Sequence, residues 1–389
     1  MLALSSTACG GEETSQENGA DSDAQQEDTQ TSSGSGEEHC SPEANIEETM
    51  IPSEKGPWPV GARTLTAGVL TVEAFYPAMM DESIEEVPKE YDIRGALPLS
   101  QQDLIPTREA PLQVCDCTDA APLDRSTGRF PLAIFIHGTA GWRTQSLTLM
   151  TRLASWGFVV LAADHPGLWL ADILAATPFC FDSPTGQQNL RGDVEMMLVK
   201  AKEGLDQWAF LEGQVDFDRI TLLGHSAGGS AVAQMTDLTG VQAVVSMAAG
   251  EKVIQSEQAV TSVFLGAHLD SVVPYSSTQD AYAQSEGEKY LLGIAGTGHL
   301  AFSDICELEN TNGDDLITIA SEAGVCGTSF AGFLFDCDDD YLDAEKTNQI
   351  VSHAVVSVLL ETFQCADTQS QLSQMQVQFP EVYEYQDNR

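Results

Sequence analysis

The sequence is poor in basic residues. Its 389 residues include 17 Lys and Arg against 59 Asp and Glu, which gives a formal net charge of −42 at pH 7. A surface of that sign repels the phosphate backbone of nucleic acids, so nucleic-acid binding is excluded as a function class. Most of the acidic residues lie beyond residue 55, so the acidity belongs to the body of the protein and not to one tail.

Two further absences narrow the class of protein. No apolar run in the body reaches the roughly 18 residues that a membrane-spanning helix needs, so we expect a soluble body. No pair of CxxC motifs occurs, which argues against a four-cysteine zinc site. The cysteines stand at positions 9, 40, 115, 117, 180, 306, 326, 337 and 365. Without the first, their number is even, which predicts disulfides in an oxidising compartment.

Composition divides the chain near residue 55. Residues 1–55 are rich in Ser, Gly, Gln, Asp and Glu, a composition that cannot bury a core, so we predict a disordered linker there. Its segment "SSTAC" resembles the end of a bacterial lipoprotein signal, which would make Cys9 a lipid anchor; an ordinary cleaved signal and a chance cysteine are the alternatives. Residues 56–389 are predicted to form one globular domain of a lipid-anchored or secreted, extracytoplasmic protein.

Buried-strand patterns alternate with helical patterns along this domain. After β-rich opening strands at 64–78 and an irregular, proline-containing stretch at 79–129, apolar runs and amphipathic segments take turns up to a final helix at about 343–363. This alternation predicts an α/β fold with a mostly parallel central sheet and helices on both faces. In such folds the functional site forms from loops at the carboxyl ends of the strands.

The stretch "ITLLGHSAGGSAVAQM" at 220–235 changes from strand to helix within a few small residues. Residues 224–228 match the G-x-S-x-G motif in the strand-turn-helix context that gives the motif meaning. Such a turn strains the backbone of its serine and leaves room only for very small side chains beside it. Ser226 is therefore the predicted nucleophile. The backbone N–H of Ala227, at the N-terminus of the next helix, is a predicted oxyanion donor.

A serine nucleophile needs a base, and the base needs an acid to orient it. His299 lies in the loop "AGTGHLAFSD" after a predicted strand, where the hydrolase order Ser, acid, His places the base. Asp270, in "SVFLGAHLDSVVP", ends the preceding strand and is the predicted acid; Asp280 and Asp304 are the alternatives. The second oxyanion N–H is predicted to come from Thr139, in the loop after "AIFIHG".

Two insertions are predicted to cover the site, at 167–186 and 301–343. Their aliphatic residues, together with Trp142 and Trp169, are candidates for lining an acyl pocket, and packing in a satellite core is the equal alternative. Cys306 is predicted to anchor the second insertion through a disulfide whose partner the spacing does not identify. The acidic run at 336–343 lacks the glycine and the terminal glutamate of an EF-hand, so a solvated loop is favoured over a calcium site.

Five segments together resemble a group of α/β-hydrolases that contains platelet-activating-factor acetylhydrolases and predicted dienelactone hydrolases: "GHSAGG", "IHGTAG", "LASWGFVVLAADHPG", "GAHLDSVVP" and "GTGHLAFSDIC". The likeness spans roughly 64–363. It implies the α/β-hydrolase fold and the same nucleophile, acid and base. Dienelactone hydrolases proper use a cysteine where this chain has Ser226, so their ring-opening chemistry is not carried over. Two segments are also similar to cutinases and polyester hydrolases, from which the oxyanion loop and the longer insertions differ.

The sequence thus predicts a serine esterase that hydrolyses carboxylic esters through an acyl-enzyme. Small-molecule or lipid esters with short acyl groups, including acetyl groups, are the first substrate class, and polyesters are the second. No cofactor and no metal is expected. The alternative from another class is a non-catalytic surface binding protein on the same scaffold, because a fold does not fix a function.

Overall fold

The computed structural model describes residues 50–389 except 82, 83, 178, 179, 257, 259, 333, 336, 339 and 365. The predictions of a disordered linker and of a lipid anchor at Cys9 fall outside these described residues, apart from the end of the linker. That end lies against the body: the carbonyl of Glu54 accepts a hydrogen bond from the Trp156 indole at 2.9 Å. Within the described ranges, no helix is both long and apolar enough to cross a membrane.

The described strands form one sheet, and its centre is parallel. The spatial order is β11-β10-β9-β8-β7-β5-β6-β2-β1-β4-β3. The six central strands, β6-β5-β7-β8-β9-β10 in spatial order, all pair in parallel. On either side of them, β2 pairs antiparallel with β6 and β11 pairs antiparallel with β10. The strands are β1 Val60–Ala67, β2 Leu70–Pro77, β3 Pro88–Asp92, β4 Leu112–Asp119, β5 Phe130–Ile136, β6 Val159–Ala163, β7 Val215–His225, β8 Val241–Met247, β9 Thr261–Ala267, β10 Lys289–Ile294 and β11 Val382–Asn388.

Helices cover both faces of the sheet. The helices are α1 Leu147–Ser155, α2 Leu170–Ala175, α3 Leu190–Glu203, α4 Ala227–Val232, α5 Tyr275–Gln284, α6 Leu316–Glu322, α7 Thr328–Ala331, α8 Ala344–Gln364, α9 Gln369–Ser373 and α10 Met375–Gln378. Alternate residues of β5 serve the two faces: Ala133 and Phe135 join the core formed with α1 and α8, while Leu132 and Ile134 join the core formed with α3 and α5. A strand buried on both faces is apolar throughout, which is why β5 has no polar alternation.

Two edges of the sheet differ from the sequence expectation. The stretch 79–129, expected to be irregular, contains β3 and β4, which pair antiparallel at one edge. In β4 the exposed side carries Leu112 and Val114, while the buried side carries Gln113 and two cysteines. The usual alternation, with apolar residues on the buried side, is therefore reversed, and the sequence pattern does not indicate a strand here. At the other edge, β11 is largely polar, and its pairing with β10 holds it in the sheet.

The two insertions form a structure that we call the cap, defined as the described parts of residues 167–186 and 301–343. A disulfide between Cys180 and Cys326 joins the two insertions. Cys306, predicted to be an anchor, pairs with Cys337 within the second. A third disulfide joins Cys115 to Cys117 on β4. Paired cysteines are those expected of a protein in an oxidising compartment.

Candidate active site

Ser226 occupies a strained turn between β7 and α4. Its φ of 54° and ψ of −117° lie outside the regions that L-residues ordinarily adopt, and the turn is held by neighbouring structure. The Ser226 N–H donates to the carbonyl of Met247 at the end of β8, at 2.8 Å. The side chain is half-buried at the carboxyl edge of the sheet. A serine held in this way is presented towards the loops that follow the strands.

Close backbone packing explains the small residues around Ser226. A Cβ atom on Gly224 would lie 2.3 Å from the carbonyl carbon and oxygen of Gly228. A Cβ atom on Gly228 would lie 2.1 Å from the carbonyl oxygen of Ile136, at the end of β5. Both distances are shorter than any real carbon contact, and the opposing atoms belong to the backbone. Only glycine therefore allows β7, α4 and β5 to approach this closely.

Asp270 and His299 form a buried pair at the same edge of the sheet. Asp270 follows β9 and His299 follows β10, and their Oδ2 and Nδ1 atoms are 2.8 Å apart. The other carboxylate oxygen of Asp270 accepts the N–H groups of Val272 and Val273, at 2.8 and 2.7 Å. Because a carboxylate only accepts, Nδ1 donates its proton to Asp270, which leaves Nε2 as the ring nitrogen that can face Ser226.

The alternative acids lie elsewhere. Asp280 is exposed on α5. Asp304 is buried, but its oxygens accept hydrogen bonds from the Thr148 N–H and the Asn348 amide. Burial raises the pKa of Asp304 above its usual value. Asp270 is thus the carboxylate that the structure places against His299.

His299 also contacts the residue next to the candidate nucleophile. The rings of His225 and His299 are 4.8 Å apart between centroids, and His225 Nε2 lies 2.9 Å from the carbonyl oxygen of His299. Since Ser226 follows His225 directly, the structure brings all three predicted triad residues to one edge of the sheet.

The loop after β5 approaches Ser226 closely. A Cβ atom on Gly138 would lie 3.2 Å from the Ser226 Cβ atom. The loop is strained, since Ala140 has a φ of 62°. In the described part of the chain, neither the Thr139 N–H nor the Ala227 N–H donates a hydrogen bond. Both predicted oxyanion donors are therefore available to a ligand, with Thr139 itself exposed.

Several buried or half-buried polar residues behind this loop were not anticipated from the sequence. His137 Nε2 accepts the His165 N–H at 3.2 Å, and His165 Nδ1 pairs with Asp193 at 2.9 Å. Arg143 donates to Asp164 through its backbone at 2.8 Å and through its side chain at 2.5 Å. Burial lowers the pKa of His137 well below its usual value, so its ring is neutral. No local sequence signal identifies such a network, because its members come from strand ends, from the loop before α1 and from α3.

A second unanticipated group centres on Gln145, whose side chain is buried just before α1. Its amide lies between Gly138 of the loop after β5 and the ring of His225. In sequence, Gln145 appears only as a polar residue at the start of a helix, which is an ordinary position for it.

The two predicted substrate-binding tryptophans differ in exposure. Trp142 is 2% exposed and belongs to an apolar cluster with Ala140, Leu170 and Leu300. Trp169 is half-buried and precedes α2. Of the two, Trp169 is the one that offers surface to a ligand, while Trp142 packs under the cap.

Two cavities lie away from the candidate triad. A small apolar cavity of about 50 Å³ lies between the cap and residues 93–111, and a polar cleft of about 690 Å³ lies beside β4. Neither is lined by Ser226, Asp270 or His299.

Among the described residues, no group of three or more His, Cys, Asp or Glu side chains is arranged to hold a metal ion. Two aspartates of the acidic run at 336–343 fall outside these residues.

Comparisons with known proteins agree with this fold. The family model for platelet-activating factor acetylhydrolase, isoform II, matches residues 44–167, which end before the candidate nucleophile. A solved ferulic acid esterase from Streptomyces cinnamoneus is similar to 80% of this chain and 92% of its own, with a TM-score of 0.51 and 17% identity. A search of curated proteins finds no match. The predicted α/β-hydrolase fold is confirmed. The family model is named for an acetylhydrolase, and the solved structure is named for an esterase.

Proposed function

We propose that this α/β-hydrolase is a serine carboxylic ester hydrolase in which Ser226, His299 and Asp270 are nucleophile, base and acid. The observation that carries the proposal is the buried 2.8 Å contact between Asp270 and His299 at the edge where Ser226 is presented. A carboxylate in this position fixes the imidazole tautomer and stabilises the imidazolium that forms during the reaction.

In the first half of the reaction, the Ser226 hydroxyl attacks the carbonyl carbon of the ester while His299 Nε2 takes its proton. The negative charge on the carbonyl oxygen is stabilised by the N–H groups of Ala227 and Thr139. When the tetrahedral intermediate collapses, His299 gives its proton to the alcohol that leaves, and the acyl group remains on Ser226.

In the second half, water replaces the alcohol. His299 takes a proton from the water as it attacks the acyl-enzyme, and the same two N–H groups stabilise the second tetrahedral intermediate. His299 then returns the proton to the Ser226 oxygen, and the carboxylic acid is released. In both halves of the reaction, Asp270 holds the His299 ring and stabilises its positive charge.

Short acyl esters, including acetyl esters of lipids, are the proposed substrates. The matching family model is described as an acetylhydrolase. A net charge of −42 disfavours anionic esters near the surface, so neutral or zwitterionic esters fit best. An extracytoplasmic location, with a linker at 1–55 and a lipid anchor at Cys9, is part of the proposal. The disulfides of the described part support the location.

Labelling with a fluorophosphonate tests the nucleophile. We expect one adduct on the folded protein, located on Ser226. Ser226→Ala should lose the adduct and lower kcat for p-nitrophenyl acetate by about 10⁵-fold, while its thermal unfolding stays unchanged. Ser230→Ala, one turn further along α4, is the matched control and should label normally. Absence of labelling on the wild-type protein, or equal labelling of Ser226→Ala, would favour the non-catalytic binding role.

A series of esters tests the substrate class. We expect the highest kcat/KM with p-nitrophenyl acetate or butyrate, and a decline towards palmitate. Ethyl ferulate belongs in the same series, because the similar solved structure is a ferulic acid esterase. A preference for palmitate or for a polyester film would contradict the short-acyl assignment while leaving the serine mechanism in place.

A further inference from the structure

Gln145 connects two parts of the candidate site that lie far apart in sequence. Its side chain is 1% exposed. Its Oε1 atom accepts the N–H of Gly138 at 3.1 Å, and its Nε2 atom lies 3.1 Å from Nδ1 of His225. His225 in turn reaches the carbonyl oxygen of His299 through Nε2, at 2.9 Å. One chain of contacts therefore runs from the loop after β5, past the nucleophile turn, to the candidate base.

The hydrogen bonds in this chain can run in only one direction. A carbonyl oxygen only accepts, so His225 Nε2 must carry the proton that is donated to His299. Burial lowers the pKa of His225 to about 3, so the ring is neutral and its Nδ1 must be an acceptor. The Gln145 amide nitrogen is then the donor to Nδ1. The Gln145 oxygen therefore points towards Gly138 and accepts the Gly138 N–H.

We propose that Gln145 is a positioning residue. Through Gly138 and His225, it holds the loop after β5 and the base His299 in a fixed position relative to Ser226. We call this chain of contacts, Gly138–Gln145–His225–His299, the relay. The inference rests on the proposed function of the site. Gln145 touches no reacting atom, so its contribution is geometric: it fixes the peptide that precedes the Thr139 N–H and the backbone of the residue that supplies the base.

Two glycines make room for the relay. A Cβ atom on Gly138 would lie 2.8 Å from His225 Nδ1, and a Cβ atom on Gly141 would lie 2.1 Å from Gln145 Oε1. The Gln145 backbone is also fixed, because its carbonyl accepts the Asp304 N–H at 2.8 Å. The amide is therefore held at both ends and has no second orientation that satisfies both neighbours.

Kinetics of the full chain separate positioning from simple structural support. Gln145→Leu removes both side-chain contacts of the relay. The matched control is Gln113→Leu, because Gln113 is also buried and donates to Thr144, the residue next to Gln145, at 2.9 Å. With p-nitrophenyl acetate we expect kcat of Gln145→Leu to fall by about 10- to 100-fold with KM changed less than about threefold. Gln113→Leu should retain kcat within about threefold.

A third variant gives a signature that loss of packing cannot produce. Gln145→Glu keeps an acceptor for Gly138 but places a carboxylate oxygen against the lone pair of His225 Nδ1. One added proton, on either group, restores that hydrogen bond. We therefore expect the pH optimum of kcat for Gln145→Glu to lie below that of the wild type and of Gln145→Leu. An unchanged optimum would argue against the relay.

Nitrogen-15 NMR of the histidines tests the relay without catalysis. The His225 signals are assigned as those that disappear in the variant His225→Gln. In the wild type, His225 should be the neutral Nε2–H tautomer. Its Nδ1 chemical shift should change in Gln145→Leu but not in Gln113→Leu. An Nδ1–H tautomer, or equal kcat losses in Gln145→Leu and Gln113→Leu, would overturn the proposal. Failure of the proposed function shows separately, as a wild-type protein that neither labels nor hydrolyses esters.

Discussion

At the scale of single residues, backbone strain is concentrated around the candidate nucleophile. Ser226, Ala140 and Ala248 all have positive φ values, of 54°, 62° and 48°. Such conformations cost of order 1–3 kcal/mol each and persist only where neighbours over-determine them. Here the N–H groups of the three residues donate to Met247, Leu168 and Leu265 at 2.8 to 2.9 Å. The surrounding strands and loops therefore hold the site in shape before any substrate binds.

The role of the acid can be tested by one isosteric change. Asp270→Asn keeps an oxygen for the N–H groups of Val272 and Val273 but removes the charge that orients His299. We expect kcat for p-nitrophenyl acetate to fall by about 10⁴-fold with little change in the free energy of unfolding. Asp280→Asn, the exposed alternative on α5, is the control and should keep wild-type kcat. Similar losses in both variants would show that Asp270 is not the acid.

At the scale of elements, the cap is held by one long-range disulfide and by the hydrogen bonds of one buried carboxylate. Cys180 and Cys326 lie 146 residues apart and join its two segments. The buried carboxylate of Asp172 accepts hydrogen bonds from the Gly167 N–H and from the N–H and hydroxyl of Thr185, at 2.7 to 2.8 Å. The cap shares one apolar cluster with residues 93–105 and Trp142, and the disulfide and the Asp172 hydrogen bonds hold its segments together.

Removal of the Cys180–Cys326 disulfide should loosen the cap. We expect the double variant Cys180→Ser, Cys326→Ser to lose about 2–4 kcal/mol in the free energy of unfolding and to be cleaved faster by chymotrypsin within the cap. The matched control removes Cys115 and Cys117 in the same way, since that disulfide closes a very short loop. Equal cleavage rates for the two double variants would contradict the role of the 146-residue link.

At the scale of the whole molecule, buried neutral histidines make the fold sensitive to acid. The ring of His353, on α8, is 1% exposed and lies edge-on to Phe379 at 5.2 Å between centroids. Burial lowers its pKa from 6.5 to about 4. A group whose pKa is lower in the folded state contributes stability above its unfolded pKa, and that contribution is lost as the pH falls towards the folded value.

The pH window for His353 therefore runs from about 6.5 down to about 4. Between pH 7 and pH 5, its share of the lost free energy of unfolding is about 2 kcal/mol. His353→Phe should reduce the pH dependence by that amount in urea unfolding measured at the two pH values. An unchanged pH dependence in His353→Phe would contradict burial as the cause.

Local patterns were sufficient for the centre of the fold. The apolar runs of β5 to β10 and the small residues around Ser226 predicted a parallel sheet with a nucleophile turn, because burial on two faces and close backbone approach each select residue types within a few positions. The edges could not be predicted in this way. β4 carries its apolar side chains on the exposed side, and β11 is a strand only because β10 is there to pair with it.

The sequence by itself determined the fold class and predicted Ser226, Asp270 and His299 as nucleophile, acid and base. Both predictions follow from short-range residue patterns and from the order of the motifs along the chain. Tertiary structure alone decided which groups touch: the Asp270–His299 pair, the partners of the cysteines, and the relay through Gln145. Gln145 and His225 are 80 residues apart, and they meet because two strands end side by side. Contacts of that kind depend on how the whole sheet assembles, and no short segment encodes them.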